Sequence, residues 1–397
     1  MRHDLYVLAA RRTPIGAFLG SLKSFSAIQL GTLVASKALE DAQVNGSEIV
    51  HSIFGNVCTF SSPEGIYLSR HIALKSGVQA SAGSLTVNRL CGSGFEAIAQ
   101  ASQWISQGPC LVGGAENMSA APLMLRGTRE GWKFAQPPKT IDSLFESLTD
   151  NYAQMSMGET AELLAKEYSI TREDCDRWAY LSHSRATQAE AKGLFKSEMT
   201  QIPLPTGENL DRDEHIRRDS SIEKLAKLKP VFGGVTTAGN ASGMNDAAAA
   251  LILCDAEYLK QWMSKTKRKP LCRIIASKAV GCDPKRMGLG PVFAMKKLLA
   301  ELNWELSTVD YLEINEAFAA QILAVKKELS LSDEQLNPHG SGISLGHPLG
   351  ATGARISTHI AHLMMANSNG LNMKRAIGGA CIGGGQGMAI AFEAIKQ

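Results

Sequence analysis

Four short stretches of the chain place reactive residue types where the backbone can turn tightly. They are Cys91 in SLTVNRLCGSGFEAI, His347 in SLGHPLGATG, Cys381 in ACIGGGQG and Asn315 in EINEAF. A cysteine nucleophile needs a base, and cleavage of a carbon–carbon bond beside a carbonyl needs a second acid or base for the carbanion. Both steps need donors for an oxyanion. The four stretches together supply these groups and predict covalent catalysis at a carbonyl carbon.

Each stretch also has a purely structural interpretation. A cysteine at a helix start is often just a small buried side chain, and a loop histidine is most often a structural hydrogen-bonding group. Glycine runs alone are weak evidence for an oxyanion or phosphate site. If a helix begins at Gly92 or Ser93, however, its free N–H groups favour the thiolate of Cys91. The combination is therefore more specific than any one stretch.

Length and composition allow a multidomain enzyme and argue against other classes. The chain has 397 residues, more than a single core usually holds. A formal charge of +3 does not indicate nucleic-acid binding, and no apolar run is long enough to span a membrane. Eight scattered cysteines are typical of a reducing compartment. With neither a secretory signal nor a C-terminal peroxisomal Ser-Lys-Leu signal, we expect the cytoplasm or the mitochondrial matrix and no secretion.

The elements that must position these residues come in two similar sets. Strand-like runs at residues 6–9, 52–55, 84–87 and 110–112 alternate with helix-like stretches, and a similar alternation returns from residue 272. The strings LVGGAENM and AIGGACIG, one in each set, share a strand followed by Gly-Gly-Ala. This pattern predicts two related α/β halves with parallel strands. Polar helices and Pro-containing loops at residues 119–244 predict an inserted lid, whose methionines could line an apolar channel or simply pack.

Motifs in the same order over essentially the whole chain resemble the thiolase family, most closely the 3-ketoacyl-CoA thiolases of mitochondrial fatty-acid oxidation. They are RTPIGAFLGSL, NRLCGSGFEAI, GGAENMS, MGETAE, TAGNASGMNDAAAA, MGLGP, EINEAFAAQ, GHPLGATGAR and CIGGGQG. The resemblance implies a five-layer α-β-α-β-α sandwich of two duplicated βαβαβαββ halves with an inserted loop domain. Residues 1–118 and 245–267 would form the N-terminal half, 119–244 the loop domain that binds CoA and the acyl chain, and 268–397 the C-terminal half.

The resemblance also implies a role for each reactive residue. Cys91 is expected to become acylated, His347 to activate it, and Cys381 to move a proton at the α-carbon of the acetyl unit. The His347 ring N–H and a water held by Asn315 would stabilise the enolate oxygen. The N–H groups of Cys91 and Gly383 would stabilise the tetrahedral adduct.

The CoA-binding residues are likewise carried over from the family pattern. Arg217 and Ser220 would lie near the nucleotide and Ser242 on the pantetheine, although Arg217 could equally be a surface charge. The remaining residues expected to line the pantetheine tunnel are Ala238, Met157 and Phe318. CoA and its thioesters are substrates, and no metal or redox cofactor is required. Members of the family form homodimers or homotetramers, so we expect one of these assemblies.

The predicted activity is thiolytic cleavage of a 3-ketoacyl-CoA by CoA, by a ping-pong route through acyl-Cys91. An acetoacetyl-CoA thiolase working in the condensing direction would share every residue named. Cys381 argues against a β-ketoacyl synthase, whose usual site has a single cysteine. The intact set of Cys91, His347 and Cys381 argues against a non-catalytic CoA-thioester binder.

Two departures from the family pattern bear on this prediction. Members usually have a simple Asn-Gly-Gly-Ala run before Gly-His-Pro, whereas this chain has NPHGSGISLGHP. Pro338, His339 and Ser341 therefore leave the support of His347 open. Ser156 stands where short-chain biosynthetic members often carry a histidine, which favours the degradative type.

Overall fold

The computed structural model describes residues 2–365 and 373–395. The expectation about a C-terminal peroxisomal signal concerns the end of the chain, whose last two residues, Lys396 and Gln397, lie outside the described residues. Among the described helices, none is both long enough and apolar enough to cross a membrane.

The N-terminal part builds strands and helices in alternation. Its strands are β1 (Arg2–Arg12), β2 (Gly16–Ala17), β3 (His51–Gly55), β4 (Gly83–Val87) and β5 (Cys110–Asn117). Its helices are α1 (Ala27–Ala42), α2 (Leu68–Lys75) and α3 (Ser93–Gln100). Helix α1 begins where the Ser26 hydroxyl accepts from the N–H of Gln29 and the Gln29 side chain accepts from the N–H of Ser26, a reciprocal capping arrangement.

A segment of short strands and polar helices follows β5. Its strands are β6 (Leu123–Leu125), β7 (Thr140–Asp142), β8 (Thr149–Asp150), β9 (Met155–Ser156), β10 (Ile202–Pro203) and β11 (Asn209–Leu210). Its helices are α4 (Ser143–Ser147), α5 (Met157–Glu167), α6 (Arg172–Ala191) and α7 (Ile222–Ala226). These strands pair only in twos, so the segment does not extend the main sheet.

The chain then returns to the main sheet and repeats the first pattern. The remaining strands are β12 (Asn245–Cys254), β13 (Cys272–Gly281), β14 (Tyr311–Ile314), β15 (Arg375–Ile382) and β16 (Gln386–Glu393). The remaining helices are α8 (Ala256–Thr266), α9 (Gly290–Leu302), α10 (Ala319–Glu328), α11 (Gly342–Leu345) and α12 (Thr352–Met365).

The main strands run in the order β14-β15-β16-β13-β1-β12-β5-β3-β4, with β2 on β12. The two halves meet where β1 pairs antiparallel with β13. Each half contains one equivalent parallel pair: Gly55 of β3 lies opposite Gly114 of β5, and Ile314 of β14 lies opposite Gly379 of β15. In the N-terminal half, β3 also pairs with β4. At the corresponding position beside β14 in the C-terminal half, a single bridge between Leu312 and Leu336 takes the place of a strand.

Helices α3 and α12 pack against each other in the centre of the molecule. Phe95 and Ile98 of α3 and Ile356 and Ile360 of α12 share one buried cluster with strands of both halves. Helices α1, α2 and α8 cover the outer face of the N-terminal strands, while α9 and α10 cover that of the C-terminal strands. The five-layer α-β-α-β-α sandwich implied by the family resemblance is confirmed.

Glycines let the starts of the two central helices approach closely. A β-carbon on Gly94 would lie 2.5 Å from the backbone nitrogen of Ala354, and one on Gly353 would lie 2.3 Å from that of Phe95. Any larger residue would push the helices apart, since carbon and nitrogen atoms do not approach this closely without a bond. This contact brings the segments before the two helices together, and those segments carry Cys91 and His347.

Candidate active site

A cavity of about 290 Å³ opens where the starts of α3 and α12 meet the inserted segment. Seven of the predicted residues line it: Cys91, His347, Cys381, Met157, Ala238, Ser242 and Phe318. A larger cavity of about 670 Å³ lies elsewhere, beside Arg11 and Arg268, and none of the predicted site residues lines it. The smaller cavity is therefore the candidate site for the chemistry predicted from the sequence.

A strained turn presents Cys91 to this cavity. Leu90 has a φ of 47°, a left-handed conformation that costs a residue with a β-carbon about 1–2 kcal/mol. The turn is held by the Leu90 N–H, which donates to the Asn88 side chain at 2.9 Å, and by Ser93, whose hydroxyl accepts from the Arg89 N–H at 2.9 Å. A turn fixed at this cost is typical of functional sites.

The Cys91 thiol meets two backbone donors, and the residue is half-buried in the cavity wall. Burial raises its pKa to about 11, against the opposing effect of hydrogen bonds from the N–H groups of Gly383 and of Cys91 itself. The thiolate expected from the helix start is therefore not the resting form, because burial outweighs the backbone donors. The same two N–H groups are the ones predicted from the sequence to stabilise a tetrahedral adduct, and both bond to the sulfur.

His347 is oriented by its own loop and by β12. The loop turns at Gly346, which has a φ of 108°, and the His347 N–H donates to Asn245 Oδ1 at 3.0 Å. In the ring, Nδ1 lies 2.7 Å from Thr352 Oγ1, and that hydroxyl donates its proton to the Pro348 carbonyl at 3.0 Å. With the single hydroxyl proton in the bond to Pro348, Nδ1 carries the ring proton and donates to Thr352.

This tautomer leaves Nε2 of His347 with a lone pair. Nε2 is buried and has no hydrogen-bond partner among the described residues. Burial, helped by the charge of Arg355, lowers the pKa of His347 to about 3. The imidazole is therefore neutral at physiological pH and can accept a proton at Nε2.

Cys381 lies at the end of β15, just before the hairpin to β16. Gly384 and Gly385 form that hairpin with φ values of 77° and 76°, a region that glycine enters without steric cost. The Cys381 side chain is 1% exposed. Burial, followed by the proximity of Cys91, raises its pKa well above the usual range. The second cysteine is therefore a protonated thiol at neutral pH.

Asn315 follows β14 and is fully buried. Its N–H donates to the Gly379 carbonyl at 2.9 Å, but neither polar atom of its side chain has a partner in the described part of the chain. A β-carbon on Gly342 would lie 2.6 Å from Asn315 Oδ1, so this glycine leaves room for the amide. A buried side-chain amide without hydrogen-bond partners lowers the stability of the fold unless a bound molecule supplies those partners.

The two residues predicted for the nucleotide end of CoA lie outside the cavity lining. Arg217 is exposed, and its guanidinium donates to the Ala238 carbonyl at 3.4 Å. Ser220 is half-buried, and its N–H donates to the Arg217 carbonyl at 3.1 Å. Through Ala238, Arg217 is connected to the cavity lining.

The structure identifies supporting residues that the sequence analysis did not single out. Thr352 and Asn245 hold His347, and both lie within motifs already noted, GHPLGATGAR and TAGNASGMNDAAAA. Their positions in those motifs were the available signal, but contacts that span 102 residues, as between Asn245 and His347, cannot be inferred from spacing.

The unusual residues before His347 have partners of their own. The Ser341 hydroxyl donates to Glu313 at 3.0 Å, and His339 Nδ1 lies 3.0 Å from Nε2 of His359. Neither contact involves the His347 ring, whose Nδ1 bonds to Thr352. No cluster of three or more His, Cys, Asp or Glu side chains with metal-binding geometry occurs within residues 2–365 and 373–395.

Comparison with known proteins gives consistent results over the whole chain. The family profile described as "Thiolase, N-terminal domain" matches residues 5–257, and "Thiolase, C-terminal domain" matches residues 268–394. The chain is 42% identical to the mitochondrial 3-ketoacyl-CoA thiolase of Mus musculus over 98% of each chain. It is 43% identical to Beta-ketothiolase BktB of Cupriavidus necator over 100% of each chain.

A solved structure agrees with these sequence matches. The crystal structure of human mitochondrial 3-ketoacyl-CoA thiolase in complex with CoA superposes with a TM-score of 0.94 at 41% identity. The match covers 100% of this chain and 99% of the human one.

Proposed function

This chain belongs to the thiolase family, and from that premise we propose that it cleaves 3-ketoacyl-CoA thioesters with CoA through an acyl-Cys91 intermediate. It is an acyltransferase, and the names of its relatives support a role in fatty-acid β-oxidation. One observation carries the proposal: two protonated thiols and a neutral histidine, Cys91, Cys381 and His347, line the same cavity.

In the first half-reaction, Cys91 attacks the 3-keto carbon. Its proton passes to Nε2 of His347 as the carbon–sulfur bond forms, and the oxyanion receives hydrogen bonds from the N–H groups of Cys91 and Gly383. The bond between C2 and C3 then breaks. The electron pair stays on acetyl-CoA as an enolate, which takes a proton from the Cys381 thiol at its α-carbon.

The enolate oxygen also needs a donor. Once protonated, His347 Nε2–H can donate, and the Asn315 amide, which has no protein partner, can hold a water beside it. In the neutral tautomer, in which Nδ1 donates to Thr352, Nε2 has no proton. Nε2 thus becomes a donor only after it has received the Cys91 proton.

In the second half-reaction, free CoA takes the acyl group from Cys91. The CoA thiol loses its proton, its sulfur attacks the thioester carbonyl, and Cys91 leaves. The proton that CoA gives up and the proton that His347 received from Cys91 together restore the two enzyme thiols, and His347 returns to its neutral form. The complex of the human relative with CoA supports CoA as the acceptor.

We assign the CoA contacts to the six residues of the family pattern. Ser242, Ala238, Met157 and Phe318 line the cavity and suit the pantetheine arm, while Arg217 and Ser220 lie outside it and suit the nucleotide. CoA is a substrate, and the proposed chemistry requires no other cofactor.

The division into residues 1–118 with 245–267, 119–244 and 268–397 remains our proposal for the domains. We also propose a homodimer or homotetramer, because β4 lies at the sheet edge with Leu85 40% exposed, and open edges favour pairing. The mitochondrial and bacterial relatives support a mitochondrial matrix or cytoplasmic location.

The test is CoA-dependent loss of the enolate absorbance of 3-ketoacyl-CoA substrates of increasing chain length. Cys91→Ala should abolish turnover, and Cys272→Ala, which removes a buried cysteine outside the cavity lining, should retain it. Turnover of the longer chains supports the degradative thiolase. Turnover of acetoacetyl-CoA alone would favour the short-chain biosynthetic enzyme, and binding without turnover would contradict both.

A further inference from the structure

The two halves of the fold place different residues at equivalent positions beside the cavity. The register that pairs Gly55 with Gly114 in one half pairs Ile314 with Gly379 in the other. Asn56, which follows Gly55, is therefore equivalent to Asn315, which follows Ile314. Glu116 lies two residues after Gly114 and is equivalent to Cys381, two residues after Gly379. The N-terminal half thus carries a buried carboxylate where the C-terminal half carries its catalytic thiol.

The Glu116 carboxylate is fully buried and accepts four hydrogen bonds. Oε1 accepts from the side-chain N–H of Asn56 at 2.8 Å and from the N–H of Cys58 at 2.9 Å. Oε2 accepts from the N–H of Val57 at 2.9 Å and from that of Gly350 at 2.7 Å. Each oxygen receives two donors, so the site is built for an ionised carboxylate, which only accepts.

These bonds join the two reactive loops. Three of the donors belong to the segment after β3, which packs with Cys91 in one apolar cluster. The fourth is Gly350, three residues after His347 and two before Thr352, the residue that orients the histidine ring. A β-carbon on Gly350 would lie 2.7 Å from Cα of Asn56 and 2.8 Å from Glu116 Oε2. The carboxylate therefore sits between the Cys91 side and the His347 side of the cavity.

We propose that Glu116 is a positioning residue, whose ionised carboxylate holds the His347 loop at the distance from Cys91 that proton transfer requires. It acts through the backbone of residues 57, 58 and 350 and does not line the cavity. This inference rests on the proposed function, because it assigns Glu116 a part in the same proton transfer.

The charge of this carboxylate varies within the working range of pH. Burial raises its pKa to about 7, against the lowering effect of the N–H groups of Cys58, Gly350 and Val57. The ionisable groups that face it are Asp246 on β12, the Cys58 thiol after β3 and the Cys91 thiol before α3. Protonation would replace one acceptor by a donor and break a link between the loops.

The test compares Glu116→Gln with a matched carboxylate on the other side of the cavity. Glu162 also accepts two backbone N–H groups, from Val235 at 2.9 Å and Thr236 at 2.8 Å, but these belong to the CoA side. For Glu116→Gln we expect kcat to fall about 100-fold, since a misplacement of about 1 Å can have this effect. Glu162→Gln should act mainly on the KM for CoA.

Two further measurements separate positioning from general damage. Alkylation of Cys91 by iodoacetamide should be at least as fast in Glu116→Gln as in the wild type. The variant lacks the negative charge of Glu116, which disfavours the Cys91 thiolate. The kcat of the wild type should decrease as the pH falls, with an apparent pKa near 7. This acid limb of the pH profile should be absent from the profile of Glu116→Gln. If the glutamine variant does not fold, Glu116→Asp should show a smaller loss of kcat with the acid limb retained.

The outcomes distinguish this inference from the function on which it rests. A wild-type kcat in Glu116→Gln, an unchanged acid limb, or a parallel loss of kcat and Cys91 alkylation would overturn the positioning role. A wild-type protein that turns over no 3-ketoacyl-CoA contradicts the proposed function instead, and the alkylation rates still report on the coupling between Glu116 and Cys91.

Discussion

Nδ1 of His347 lies 2.7 Å from Oγ1 of Thr352, and the same hydroxyl donates to the Pro348 carbonyl. With the Thr352 proton in the bond to Pro348, Nδ1 of His347 donates to Thr352 and Nε2 is left as the base. The tautomer is set five residues away from the histidine, at the first position of α12.

Replacing this hydroxyl should impair catalysis without unfolding the protein. We expect Thr352→Val to lower kcat about tenfold to 100-fold, because the imidazole loses the acceptor that fixes its orientation. Thr352→Ser keeps the hydroxyl and should recover most of the rate. Steady-state kinetics with a 3-ketoacyl-CoA measures both.

Helix α12 offers a matched control. The Ser357 hydroxyl donates to the Gly353 carbonyl at 2.8 Å, the same four-residue bond that Thr352 makes to Pro348. Ser357→Ala should therefore cost similar stability but leave kcat within about twofold of the wild type. Equal losses of kcat in Thr352→Val and Ser357→Ala would contradict the role of Thr352 in fixing the tautomer.

The sequence could single out candidate reactive residues because each lies at the boundary of an element. Cys91, His347, Asn315 and Cys381 all come at turns or strand ends, where glycines and changes in periodicity are visible locally. Strand β5 is longer than the predicted run at residues 110–112 because Gly113 and Gly114 continue the strand. A β-carbon on Gly114 would lie 2.1 Å from the Gly350 carbonyl oxygen, so glycine here serves close packing rather than a turn.

The charge states of the site could not be predicted in this way. The helix start at Ser93 favours a thiolate at Cys91, but burial by residues distant in sequence raises the thiol pKa to about 11. The support of His347 by Asn245 and the links made by Glu116 likewise depend on contacts between the two halves. Such contacts follow from packing, and no local pattern encodes them.

The high pKa of Cys91 makes a prediction for its reactivity. The rate of alkylation by iodoacetamide should rise about tenfold per pH unit from pH 7 to beyond pH 9, because only the thiolate reacts and it remains a small fraction. Mass spectrometry of the modified peptide identifies the site. A plateau below pH 8 would show that the thiolate is the resting form.

A buried ion-pair network should dominate the local stability where the inserted segment meets β1. Arg12 is fully buried and donates to Glu198 at 2.6 Å and to Asp213 at 2.7 and 3.0 Å. Removal of the guanidinium leaves two buried carboxylates without their cation. We expect Arg12→Met to lower the free energy of unfolding by about 3–5 kcal/mol.

The surface pair of Arg218 and Glu190 provides the control for that change. Both side chains are partly exposed, at 37% and 28%, so solvent screens their attraction. Arg218→Met should cost less than about 1 kcal/mol. Urea unfolding of the two variants measures the difference, and equal midpoints would contradict a stabilising role for the buried network.

The network also predicts how stability depends on acid. Burial alone would raise the pKa of Glu198, but the charges of His359 and Arg12 reverse this and lower it to about 2. A carboxylate with a lowered pKa contributes stability above its unfolded value of about 4.3, and this contribution is lost as the pH falls through the folded value. Unfolding free energy should therefore decrease between about pH 4.3 and pH 2.

The two thiols should be separable by their half-reactions. Acyl transfer between Cys91 and CoA forms and breaks only carbon–sulfur bonds, so it needs Cys91 and His347 but no proton at the α-carbon. Cleavage of C2 from C3 generates a carbanion and does need the Cys381 proton. Cys381→Ala should thus lose thiolysis by more than about 100-fold and still exchange labelled CoA into acetyl-CoA, whereas Cys91→Ala should lose both. Cys381 is buried, but its replacement by alanine removes only the sulfur atom and leaves a small cavity, and thermal unfolding can verify that the variant remains folded. Loss of exchange in a folded Cys381→Ala variant would mean that Cys381 also serves the acylation of Cys91, and the restriction of Cys381 to the cleavage of C2 from C3 would be wrong.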